Sequence, residues 1–255
     1  MASQRSAGIL ERQSSNPMLT GSAFKAQVVQ DRQTGPIVEG SGVSDTWAAV
    51  AATFVVFAAS FGVGWWLGGR SMAFAIIGAI VGLVLVLVTI FKPTLATVTT
   101  PIYAIAEGLF VGGISRVYEA EYSGIVLQAS LLTAAIYFGM WFMFASGRLR
   151  LTPKMQKVIV TATFGVFAAY MLNMVMRLFG ASVPFIHDSG PIGIGISLVI
   201  VGIASLNLLI DFDYIDRLNQ TPHERWQDWF AAMGLLVTVV WIYIEILRLL
   251  SKLRD

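Results

Sequence analysis

From Thr46 onward the chain is a succession of apolar runs, each close to the ~20 residues that an α-helix needs to cross the hydrocarbon core of a bilayer. No other feature narrows the fold so far. The runs are continuously apolar rather than alternating, which selects membrane helices over the strands of a lipid-facing barrel. Spans are expected at residues 46–69, 72–91, 101–117, 124–146, 158–179, 192–210 and 229–250. The third is expected to be short, and it carries Glu107. The brief connections predict antiparallel neighbours. The fold class is therefore all-α, a polytopic membrane protein built as a seven-transmembrane-helix bundle.

Composition agrees with that reading. Hydrophobic residues make up 56% of the chain and charged residues 13%, where soluble domains carry about 25% charged. Mean hydropathy is +0.73. Residues 1–45 are different material, rich in Ser, Gln and Gly without a sustained apolar period. They read as a mobile polar tail before a transmembrane domain at 46–255. No apolar core follows Arg5, so the tail is not a secretory signal. A net charge of +2 leaves no basic footprint for nucleic acid. The absence of cysteine removes disulfides, thiolate metal sites and Cys nucleophiles.

Lysine and arginine set the expected orientation. With the N-terminus inside, the tail, Lys92, the 148–157 loop, Arg217 and Arg225 place eleven basic residues in the cytoplasm. Only Arg70, Arg116 and Arg177 lie opposite. Arg248, Lys252 and Arg254 fall outside if the last helix crosses fully, or mark a segment that does not cross.

Enzyme chemistry finds little support. The string from Gly190 to Gly195 superficially matches a dinucleotide fingerprint, but it follows no strand and opens a membrane helix. Its glycines, like Gly62, Gly64, Gly68 and Gly69, read as close helix packing. The two histidines, His187 and His223, lie in loops, and His223 with Glu224 and Arg225 reads as a solvated turn. No GxSG or HExxH string is present. Neither an enzyme nor a bound cofactor is expected.

The intramembrane acids carry the functional signal, because a charge in hydrocarbon costs roughly 2.5–3.5 kcal/mol on insertion scales and usually lines water or an ion path. Glu107 lies six residues into the predicted third span, Asp211 and Asp213 close the sixth, and Glu245 is sixteen residues into the seventh. Asn207 and Asp211 share a helix face, whereas Asp211 and Asp213 point about 200° apart. Glu245 stands three residues before Arg248, so it reads either as an ion-path group or as an acid neutralised near the outer interface. Glu107 has no basic residue at i±3 or i±4. Asp211, Asp213 and Asp216 read either as ion-path groups or as solvated interface residues.

Four stretches resemble the Bax inhibitor family, in its bacterial YccA-like branch. They are Ser15-Asn16-Pro17-Met18-Leu19, the run from Pro101 to Ser115 around Glu107, the Asp-rich end from Leu208 to Asp216, and the closing run from Ile244 to Leu250. The resemblance covers essentially residues 45–255. It implies a seven-helix bundle with the last helix near the centre, in a bacterial inner membrane. It also implies a pH-sensitive calcium leak gated by paired aspartates on the sixth and seventh helices. Two close carboxylates share a proton, and their deprotonation favours opening or cation entry; calcium suits such oxygen ligands.

Matching Phe212-Asp213 to the family's aromatic–Asp pair makes Asp213 the sixth-helix acid. The second acid's place falls on Thr238 in one register and on Glu245 in another, and Thr238 keeps the spacing closer to the family's. With Thr238 the carboxylate pair is incomplete. No arginine lies inside the second span to act as the family's latch. The resulting expectation is a passive cation leak for calcium or protons. Asp213 and Asp211 would serve as calcium ligands at the mouth, with Asn207 on the Asp211 face, Glu107 along the path, and Thr238 or Glu245 from the last helix. The alternative is a protein without flux of its own that regulates other membrane machinery, such as a quality-control protease.

Overall fold

The computed structural model describes residues 43–179 and 190–254. Almost all of the expected tail, the 15–19 stretch and His187 fall outside these residues. Among the described residues seven helices are long and apolar enough to cross a membrane. They are α1 (Val43–Gly68), α2 (Ala73–Phe91), α3 (Ala96–Glu121), α4 (Ile125–Ala145), α5 (Pro153–Leu178), α6 (Pro191–Asn219) and α7 (Arg225–Arg254). A 3-10 turn, Pro93–Leu95, leads into α3.

Three predicted bounds are corrected. Helix α3 is not short: it has 26 residues and runs through Pro101. Its polar first turns are absorbed by packing, since Thr99 donates to Leu95 O at 3.1 Å and Thr100 to Trp229 O at 2.9 Å. Hydropathy alone undervalues hydroxyls that are satisfied in this way. Glu107 consequently lies about 16 Å along its helix rather than near its mouth. Helix α6 does not stop before its aspartates, because Phe212, Ile215 and Leu218 prolong its buried stripe to Asn219. Helix α7 begins at Arg225, so Glu245 is about 30 Å from its start.

Small residues build the tightest part of the bundle. A Cβ on Gly64 would sit 2.6 Å from Leu109 O, one on Gly108 2.7 Å from Phe57 O, and one on Gly78 2.5 Å from Ala106 O. These glycines let the α1 and α2 backbones approach α3 as no larger residue permits. Thr89 Oγ1 and Thr99 Oγ1, 2.7 Å apart, join the end of α2 to the start of α3.

The last helix is the core. Of the seven helices α7 is the most buried and α5 the least. It packs on α1, α3, α4 and α6, while α5 leans mainly on α6. Lys252 Nζ, near the end of α7, donates to Gly193 O and Ser197 Oγ at the start of α6. Asp228, at the other end of α7, bonds Thr46 at the start of α1. The last helix therefore traverses the whole bundle.

Candidate functional site

Helix α6 buries Leu208, Phe212 and Ile215 toward the core, and Asp211 projects beside that stripe. Opposite it on α7 are Gly234 and Thr238, one turn apart. Gly234 has no side chain to fill the gap; a Cβ there would lie 3.8 Å from Asp211 Oδ1. The Thr238 side chain lies beside the Asp211 carboxyl, and its hydroxyl donates to Gly234 O at 3.2 Å. Asp211 Oδ2 is shut off from solvent and has no hydrogen-bond partner. Tyr137 of α4 lies within electrostatic reach of the same carboxyl. A buried carboxylate oxygen without a donor is costly, and a proton or a cation relieves that cost.

The other sequence-predicted residues go elsewhere. Asp213 faces away from this site and pairs with Arg217 Nε at 2.7 Å. The 100° step per residue puts two positions about 200° apart, so Asp211 and Asp213 cannot share one ion. Among the described residues no three of His, Asp and Glu converge as a metal cluster. Asn207 Nδ2 donates to Thr163 Oγ1 of α5 at 2.8 Å and to Ile203 O at 2.9 Å, and so fastens α5. Glu107 is half-buried on the α2 side of α3, where a Cβ on Gly82 would meet its Oε2 at 2.8 Å.

Glu245 is 1% exposed and fully engaged. Its Oε1 accepts from Tyr170 Oη at 2.7 Å, Trp241 Nε1 at 3.3 Å and Arg248 Nη1 at 3.1 Å. Arg248 Nη1 also donates to Tyr170 Oη at 2.5 Å. Of the two readings open to it, Glu245 follows the neutralised one, and the knot ties α5 to α7. Asp211, Glu107 and Glu245 thus occupy three separate interhelical settings rather than one file.

The family model for Bax inhibitor 1 like proteins matches residues 16–255. The chain belongs to this family. No curated protein and no solved structure matches it. In this Bax inhibitor 1 like chain the sixth-helix acid that meets the last helix is Asp211, which faces Gly234 and Thr238.

One constellation in this Bax inhibitor 1 like bundle escaped the sequence. His223 is not in a solvated turn: its side chain is 2% exposed and its Nε2 lies 2.8 Å from Asp228 Oδ1. Its Nδ1 lies 2.9 Å from Thr221 O. Thr46 Oγ1 of α1 donates to the same Asp228 oxygen at 2.5 Å. Burial works to lower the imidazole pKa, but the bonds to Thr221 O and Asp228 outweigh it and hold it above its ordinary 6.5. A His five residues before an Asp carries little signal; the third member, Thr46, is 182 positions from Asp228.

Proposed function

We propose that this Bax inhibitor 1 like protein is a passive cation leak, calcium or protons being the ions, and that the ion meets Asp211 between α6 and α7. One observation carries the reading. Asp211 Oδ2 is buried and lacks a hydrogen-bond partner, whereas Asp213 is paired with Arg217 and Glu245 with Arg248. An ionisable side chain inside a membrane marks a functional site by default, because its burial is costly, and the unpartnered Asp211 oxygen is free to take a proton or a cation. Protons compete with metal cations for the same oxygens, so calcium flux is expected to rise as Asp211 deprotonates. The setting we propose is a bacterial inner membrane, as the resemblance implies, with the N-terminus in the cytoplasm on the lysine and arginine bias.

The test is calcium and proton flux in liposomes that contain only this protein. Wild-type protein should leak, and Asp211→Asn should abolish the leak or its pH dependence. Absence of flux at every pH would overturn the reading, in favour of a regulator of other membrane machinery.

A further inference from the structure

Helices α1 and α4 stand apart, and α7 and α3 form the floor between them. The space is a recess of about 500 Å³, within the roughly 300–1,000 Å³ of small-molecule sites. Ala51, Ala58 and Phe138 on its rim are exposed, so it opens on the perimeter of the bundle. Its walls are unusually aromatic, with Phe54, Phe57 and Phe61 from α1 facing Tyr137 and Phe138 from α4. Phe57 and Phe61 are tilted at 6.4 Å, and Tyr137 meets Phe138 edge-on at 5.3 Å.

Behind one wall lies a buried carboxyl. Tyr137 lines the recess and packs edge-on against Phe212 at 5.5 Å, the residue next to Asp211, the carboxyl with an unpartnered oxygen. The α7 residues Val239 and Val240 line the floor immediately after Thr238, which faces α6 beside that carboxyl. Aromatic faces attract cations through their quadrupoles, most strongly where water is excluded. Once ionised, the carboxyl behind this wall would add unit charge across low-dielectric protein. A neutral lipid chain would use the apolar walls alone. An apolar body with a diffuse positive charge uses both.

We propose that this recess is a binding site for lipophilic organic cations, entered sideways from the membrane, with the aromatic walls taking the body and Asp211 acting as counter-ion. The proposal shares Asp211 with the leak reading but requires no flux, so the two fail separately.

The probe is tetraphenylphosphonium, with triphenylphosphine oxide as its uncharged relative. Binding to the full chain in phosphatidylcholine nanodiscs is measured by equilibrium dialysis against empty nanodiscs at mildly alkaline pH. Wild-type protein should bind the cation saturably and prefer it over the neutral compound by about tenfold or more, the scale of one unit charge acting within the protein. Asp211→Asn should erase that preference. Ala58→Trp, which fills the rim and leaves Asp211 in place, should abolish binding of both compounds. Equal affinity for the two compounds in wild-type protein would overturn the proposal and leave a slot for apolar chains. So would unchanged cation binding in either variant, or no saturable binding at all. The wild-type comparison decides the charge preference even where Asp211→Asn fails to fold.

Discussion

Arg217 Nε, one turn further along α6, lies 2.7 Å from Asp213 Oδ2, so this acid has a cationic partner on its own helix. The Arg217 side chain is 69% exposed and that of Asp213 22%. A pair this exposed is worth at most about 1 kcal/mol. Asp213→Asn should therefore leave calcium flux near the wild-type rate and shift the melting temperature by only about 2–4 °C or less. Liposome flux and thermal unfolding in detergent check both. A flux loss as deep as that of Asp211→Asn would return the ion site to Asp213.

Glycine packing predicts a sharp contrast. A Cβ on Gly112 would run into Phe61 O and lie 2.7 Å from Trp65 N, both backbone atoms that cannot move aside. Gly112→Ala should destabilise by about 1–3 kcal/mol through overpacking. At Gly139 a Cβ meets nothing within 4 Å. Gly139→Ala should be neutral, or stabilise by up to about 1 kcal/mol through helix propensity. Melting temperatures of the two proteins in one detergent provide the comparison.

The Glu245 knot is predicted to act on stability. Glu245→Ala should cost about 3 kcal/mol, the low end for a broken buried pair, because Arg248 keeps 25% exposure. Tyr170→Phe removes a hydroxyl shared by Glu245 and Arg248 and should cost about 1 kcal/mol. Unfolding in detergent measures both losses. Proteolysis should also cut α5 sooner in either variant, since the knot is one of its few ties outside α6.

The His223–Asp228 contact predicts a pH dependence with a definite sign. The imidazole pKa is raised in the folded chain above its ordinary 6.5. The contribution is therefore fully present below pH 6.5 and is lost as pH rises through the folded value. The stability gap between wild-type protein and His223→Gln should be widest below pH 6.5 and narrow as pH rises through the folded value. A gap that widened with pH would mean that His223 is bound as the neutral ring.

The sequence by itself determined the membrane, the number of helices and the family. Each of these follows from local composition: twenty-residue apolar runs need no tertiary information to be read. It also marked Asp211, Asp213, Glu107 and Glu245 as costly, because a charge in hydrocarbon is conspicuous wherever it points. It misplaced the ends of α3 and α6. There, Thr99 and Thr100 hide their hydroxyls in hydrogen bonds, and Phe212 and Ile215 extend a buried face past two acids.

Only the tertiary structure decided what each acid meets. Arg217 claims Asp213, Arg248 and Tyr170 claim Glu245, and Asp211 faces a hydroxyl and a glycine across the α6–α7 seam. A helix's 3.6-residue turn shows which residues share a face, but the neighbour supplied from a distant segment appears only when the helices pack. The buried His223–Asp228–Thr46 contact was invisible for the same reason: its parts come from both ends of the chain.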